Sequence, residues 1–162
     1  LWFNKYYLDQ MDTEQLIQKI SLNHIDESEY SKTVINAVRD RCETLNDFST
    51  QTDYFFNEPE VYDQRLIKKH CSDATSGYLN KLKSSLVDED NWKQSAIKEV
   101  IDKIVSDLEV GFGKIGLPLR LALTASTNSP SIDLVCEILG REETIKRLDS
   151  FLLFLNDQEK DL

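Results

Sequence analysis

An all-α fold is what this sequence predicts, on three observations. Apolar residues recur at spacings of three, four and seven in nearly every segment, as at Ile97, Ile101, Ile104, Val105 and Leu108. Only 5 glycines and 3 prolines punctuate the 162 residues, too few for a sandwich or barrel that turns every ~8–12 residues. Hydrophobic residues make up 40% of the chain and charged residues 30%, a globular mixture and not a disordered one. Such a length suits one domain or two small ones. The chain opens on Leu1 and not on Met, so it is expected to be a piece of a longer protein.

The elements follow in order. Residues 13–24 place Leu16, Ile17 and Ile20 on one helix face behind an N-cap at Asp12 or Thr13. Residues 31–42 do the same with Val34, Ile35 and Val38. Thr44 with Asp47 opens a third helix that carries Leu45 and Phe48 inward. The aromatic run Tyr54-Phe55-Phe56 stops at Asn57-Glu58-Pro59, a chain break. A subdomain boundary is expected shortly after it, dividing the chain into 1–66 and 67–162.

Beyond the break the helical pattern continues. A short helix is expected over 61–70, then one over 73–86 behind Ser72 that packs Tyr78, Leu79, Leu82 and Leu86. Gly77 inside it costs ~1 kcal/mol relative to alanine. Asn91 with Gln94 caps a long helix to Leu108. Ser129-Pro130 opens the next, since proline suits the first helical turn, and Gly140 closes it in a left-handed C-cap. The last helix, 141–155, carries Ile145, Leu148, Leu152 and Leu155 before a polar tail.

Charge and cysteine usage exclude several classes. The net charge is −10, which argues against a diffuse electrostatic grip on nucleic acid. Through Leu66 there are 6 basic and 13 acidic residues, and from Ile67 onward 13 and 16, so the second segment is nearly balanced. A local site built on a few arginines stays open. Cys42, Cys71 and Cys136 are odd in number and lack CxxC spacing; buried thiols in a reducing cytosol are expected, not a disulfide framework or a zinc knuckle. No apolar run approaches the ~18 residues of a membrane span, and no signal peptide is recognisable.

Most candidate motifs reduce to ordinary surface or packing. Gly111-Phe112-Gly113-Lys114-Ile115-Gly116 matches GxGxxG, but the dinucleotide mechanism needs a strand before it, and here a helix precedes and Pro118 follows. A helix–helix connection with positive φ values is the better account. His70 and Cys71 are adjacent, and adjacent side chains on a helix point apart, which is wrong for a nucleophile and its base. Lys68-Lys69 and Lys146-Arg147 read as solvated helix faces. Glu58, Glu60 and Asp63 read as plain acidic surface before a cation site.

Two arginines stand apart. Arg120 sits among Leu117, Leu119, Leu121 and Leu123, so its head must leave an apolar segment. Arg41 ends a helix just before the Thr44 cap, beside Asp40 and Glu43. Each is either an ion-pair partner within an acidic protein or a guanidinium directed at a ligand.

The stretch from Asp107 to Thr124, with Gly111-Phe112-Gly113-Lys114-Ile115-Gly116 and Leu117-Pro118-Leu119-Arg120 within it, resembles the C-terminal region of bacterial glutamyl-tRNA synthetase, a class I aminoacyl-tRNA synthetase. Ser129-Pro130-Ser131-Ile132-Asp133 followed by Ile138-Leu139-Gly140 does so too. So do Leu1-Trp2-Phe3-Asn4-Lys5-Tyr6-Tyr7, Arg41 with Thr44-Leu45, and Tyr54-Phe55-Phe56. The resemblance covers essentially the whole chain. It implies a helical anticodon-binding module of two packed subdomains, detached from the Rossmann-type domain that carries the HIGH and KMSKS motifs, neither of which is in this chain.

The resemblance further implies roles and partners. Arg41 falls where discriminating members place the arginine that reads the third anticodon base. Arg120, Ser129 and Ile132 fall where the second subdomain meets the first two bases; the family's side chains vary at Ser129 and Ile132. Ala125 stands where glycine is usual after the threonine, which tightens the local turn. The expected partners are the anticodon loop of tRNA(Glu) and the catalytic domain of the same parent chain, in a cytoplasmic monomer. The parent would use ATP and Mg; this segment is expected to hold no cofactor, no metal and no catalytic residue.

Chemistry agrees with that role for Arg41. Anticodon bases are single-stranded and can be splayed out and read on their Watson–Crick edges. A guanidinium only donates. Cytosine offers two neighbouring acceptors, whereas guanine sets donors beside its O6, so one arginine can prefer C by ~1–3 kcal/mol. A helical protein-interaction domain without an RNA role is the alternative.

Overall fold

The computed structural model describes the backbone of residues 2–160 and the side chains of 4–158. Among these residues it holds α-helices and one 3-10 turn, with no strand. The chain divides into two compact units, Leu1–Asn57 and Glu58–Leu162. The division falls at the Asn57-Glu58-Pro59 break itself and not after Leu66. The residues just past the break serve the second unit: Glu58 accepts from Ser150 at 2.8 Å, and the Tyr62 ring meets Phe151 at 4.9 Å.

The first unit opens with α1 (Trp2–Gln10), a helix the apolar pattern did not announce. The family-like segment Leu1-Trp2-Phe3 lies here; Leu1, and the side chains of Trp2 and Phe3, lie outside the described residues. Next comes α2 (Thr13–Lys19), closed by a capping box in which Asp12 accepts from the Gln15 N–H and the Gln15 side chain accepts from the Asp12 N–H. This helix ends at Ile20, well short of residue 24, because Ile20 turns to extended backbone.

Ser28 caps α3 (Glu29–Val38), which tightens into a 3-10 turn at Arg39–Arg41 and leaves residue 42 outside the helix. Helix α4 (Asp47–Phe56) follows. Leu16, Val34, Ile35, Val38 and Phe48 interlock with no exposed surface, and truncating any of the leucines or isoleucines there would cost about 2–5 kcal/mol. Leu45, expected inward, instead lies 37% exposed, because it belongs to the turn before α4 and not to its buried face.

The second unit comprises α5 (Gln64–His70), α6 (Thr75–Val87), α7 (Gln94–Asp107), α8 (Gly113–Thr124), α9 (Ile132–Leu139) and α10 (Arg141–Lys160). Helix α10 packs on α6, α8 and α9, and α7 on α6 and α9. Leu79, Leu82, Leu86, Ile97, Leu119, Val135, Leu148 and Phe151 form the core. The last helix runs past residue 155 into the polar tail, since one buried face reaching Leu155 suffices to carry the turns beyond.

Four caps differ from expectation, among them Gly140, which closes α9 at a positive φ of 83° but an extended ψ of 162° and not in the left-handed helical conformation. Gln94 donates to the Ser131 hydroxyl and not back to Asn91, whose N–H goes to Glu89. The helix expected from 73 starts at Thr75, and the Ser72 N–H donates to the Thr75 hydroxyl at 2.9 Å. Helix α9 starts at Ile132 behind Ser131, two residues after Pro130.

The glycine-rich segment needs no left-handed glycine. Gly113 and Gly116 are helical residues of α8, and the positive φ of this connection falls on Glu109, at 51°. Gly116 makes room for a side chain. A Cβ there would stand 2.3 Å from the Phe112 ring, so a larger residue would turn the exposed Phe112 side chain away from the helix.

Candidate nucleic-acid interface

In the first unit, Arg41 ends the 3-10 turn and is exposed. The segment that carries it is pinned on both sides. Before it, Arg39 turns inward and its Nη2 donates to the carbonyls of Leu8 and Met11. These carbonyls lie at and beyond the end of α1, where helix geometry leaves acceptors unpaired. The Lys5 ammonium also donates to the Asp40 carbonyl at 3.3 Å.

After it, Cys42 is buried, and its N–H donates to the Arg39 carbonyl at 3.1 Å. Burial, with the nearby Asp47 charge, pushes the Cys42 thiol up to about 12. Asp47 then accepts from the N–H groups of Thr44 at 2.8 Å and Glu43 at 2.9 Å through one carboxylate oxygen. Those hydrogen bonds, Thr44's first, hold its carboxyl below the ordinary range. Thr44 and Asp47 thus form one half of the expected box: the Asp47 carboxylate reaches back to the Thr44 N–H, while the Asp47 N–H goes to the Thr44 carbonyl and not to its hydroxyl.

In the second unit, Arg120 is half-buried on α8 and its Nη1 donates to the Ser129 carbonyl at 2.9 Å, and also to the Pro130 carbonyl and the Ser129 hydroxyl. Ser129 and Ile132 are each 2% exposed. The structure therefore brings Arg120 and Ser129 into direct contact, and seats Ser129 and Ile132 inside the unit as supports of the loop between α8 and α9. Ala125 closes α8 in the left-handed conformation at φ 51°, which explains why glycine suits that position. The Ser126 N–H donates to the Thr124 hydroxyl at 3.2 Å, and the Asn128 N–H to the Ser126 hydroxyl at 3.0 Å.

Arg147 was expected on a solvated face and is instead 2% exposed. Its Nη1 donates to the Leu123 carbonyl at 2.8 Å and its Nε to Glu143 at 2.8 Å. An end of α8 left with orphan carbonyls needs such a donor, and an arginine can supply it only when its charge is paired. Glu58, expected to be plain surface, pairs with Lys146 at 2.6 Å; that hydrogen bond lowers its carboxyl below the usual range.

The remaining candidates take no part. His70 and Cys71 sit at the end of α5, and burial pushes the Cys71 thiol up to about 11, away from thiolate chemistry. Asp63 caps α5 and pairs with Arg65 at 2.9 Å. Among the described residues no group of three or more His, Cys, Asp or Glu is placed to hold a metal, and no helix is long and apolar enough to cross a membrane. Sequence reasoning missed Arg39 and Arg147 as positioning groups. For Arg39 the signal was its place two residues before Arg41, on the inner side of the same short turn.

Comparison with known proteins gives the family. The structure is similar to a glutamate tRNA ligase from Elizabethkingia meningosepticum, at 29% identity and a TM-score of 0.84 over 93% of this chain and 31% of that one. It is also similar to the glutamate-tRNA synthetase of Elizabethkingia anophelis, at 26% identity and a TM-score of 0.80 over 93% of this chain and 30% of that one. The chain thus spans less than a third of the length of these relatives. A family model described as an anticodon binding domain matches residues 7–152, nearly the whole of both helical units, and this chain belongs to that family.

Proposed function

We propose that this chain is the anticodon-reading part of a glutamate–tRNA ligase, and that Arg41 reads the third anticodon base of tRNA(Glu). The observation that carries the reading is an exposed arginine on a segment fixed from both sides, by the Arg39 hydrogen bonds to α1 and by Asp47 of α4. A donor fork carried on a fixed backbone spends less conformational entropy on binding and discriminates by geometry. Arg120 sets the loop that meets the first two bases, with Ser129 and Ile132 acting beneath it as positioning residues.

The parent enzyme attaches glutamate to its tRNA with ATP and Mg in a separate catalytic domain, as a cytoplasmic monomer. This chain itself carries no catalytic residue, cofactor or metal, and its GxGxxG segment is helix packing. Titration of the chain with a tRNA(Glu) anticodon stem-loop tests the proposal. Saturable binding that a loop of scrambled sequence does not reproduce supports it; equal affinity for both loops contradicts it. Glutamate-dependent ATP–pyrophosphate exchange by the purified chain would contradict the division of labour.

A further inference from the structure

Two cavities flank the turn that follows Arg41. One, of about 360 Å³, is lined by Tyr7, Leu8, Met11, Lys19, Leu45 and Asn46 among others. The second, of about 520 Å³, shares Lys19, Leu45 and Asn46 and adds Ser21 and Ser49. Lys19, Leu45 and Asn46 are a common wall, and the two cavities are taken together as one groove. Leu8 and Met11 are the residues whose carbonyls hold Arg39, so the groove wall is tied directly to the Arg41 turn.

Its chemistry is unlike the rest of this unit. Residues 1–57 carry 10 acidic and 5 basic side chains, yet among the described residues no carboxylate lines either cavity and Lys19 lines both. Tyr7 is 49% exposed, with the Tyr6 ring edge-on to it at 5.9 Å, and Leu45 is 37% exposed. An aromatic face, an aliphatic wall, amide and hydroxyl groups and a single cation are the components of a nucleotide seat. Lack of carboxylates removes the repulsion that the unit's net charge would otherwise impose on a phosphate.

Resting on the reading of Arg41 above, we infer that this groove seats the nucleotide on the 3′ side of the third anticodon base. The first two bases are assigned to the second unit, so the neighbour that remains for the first unit is the 3′ one. Its base lies against Tyr7 and Leu45, Asn46 meets its edge, and Lys19 meets its phosphate.

Stem-loops identical except for an abasic nucleotide at that position test the inference, titrated against the intact chain and Tyr7→Ala. The intact chain should bind the abasic loop about tenfold more weakly, on the scale of one base–aromatic stack. Tyr7→Ala should bind the complete loop about tenfold more weakly and lose nothing more with the abasic one. Leu45→Ala, on a wall outside α1, repeats the test. Lys19→Gln should flatten the salt dependence by about one unit. Equal affinity of the intact chain for both loops, or the same loss by Tyr7→Ala on both, overturns the groove while binding that depends on Arg41 persists. Failure to bind any stem-loop overturns the groove and the reading beneath it together.

Discussion

Nη1 of Arg120 donates to the Ser129 carbonyl at 2.9 Å, which makes an arginine of α8 the clasp of the loop that leads into α9. The same nitrogen reaches the Pro130 carbonyl and the Ser129 hydroxyl. Arg120→Ala removes the donor and leaves nearly buried acceptors unpaired, at about 1–3 kcal/mol, or a fall of about 4–8 °C in Tm for ~2 kcal/mol in a chain of this size. Affinity for the anticodon stem-loop should fall with it, because the loop loses its shape. Arg120→Lys should recover part of the thermal midpoint. Circular dichroism melts of the two variants decide the matter, and an unchanged midpoint in Arg120→Ala would remove the clasp.

Asp47 should act on specificity without touching RNA. Its carboxylate holds the N–H groups of Thr44 and Glu43, and so fixes the turn after Arg41. Asp47→Ala should reduce the preference for a stem-loop ending its anticodon in C over one ending in G, while Asp47→Asn, which retains an acceptor oxygen, keeps most of it. Loss of affinity by the same factor for both loops, in either variant, would show a general destabilisation and no positioning role.

How much of this was legible in the sequence depended on the kind of signal. Helices with a strong apolar period, such as α7 with Ile97, Ile101 and Ile104, were readable because burial alone decides them. Helix α1 was not, since Tyr6 and Tyr7 are exposed and only Leu8 is buried beyond its first residues. Caps were half legible: Thr44 and Asp47 were paired correctly and Asp47 accepts from the Thr44 N–H, but the sequence cannot tell that the Thr44 hydroxyl leaves the Asp47 N–H to a carbonyl. Arg147 escaped because its charge suits a solvated face, and only the fold shows that the end of α8 lies over it. Arg41 and Arg120 stood out because apolar or capping neighbours left their heads few places to go.

Ala125 provides a case in which glycine should stabilise. At φ 51° an alanine costs roughly 1 kcal/mol more than glycine, partly offset by the greater freedom of glycine in the unfolded chain. Ala125→Gly should therefore raise the thermal midpoint by about 1–3 °C. A fall of that size would mean that the turn favours the alanine for another reason.

Stability should hold a plateau between about pH 5 and 9. Asp47, lowered by the Thr44 and Glu43 N–H groups, and Glu58, lowered by Lys146, titrate below their unfolded values near 4. Their contribution is complete above that range and is lost as pH falls through the folded values. At the other end, burial raises Cys42 and Cys136 to about 12, so stability falls as pH rises from the unfolded thiol range near 9 toward that value. Urea midpoints measured across pH 3–11 test both limbs, with Asp47→Asn expected to flatten the acid one. A midpoint that climbs between pH 5 and 3 would contradict the carboxylate account.

The central claim concerns Arg41, and one comparison tests it most directly: binding of the intact chain and of Arg41→Gln to two anticodon stem-loops, one ending its anticodon in C and the other in G. Glutamine retains donors but brings its own acceptor. The variant should lose affinity for the C loop by about tenfold, on the scale of a good base contact, while binding of the G loop stays level or improves. An equal loss on both loops, with the salt dependence flattened by about one unit, would place Arg41 on a phosphate and contradict its role as the reader of the third base.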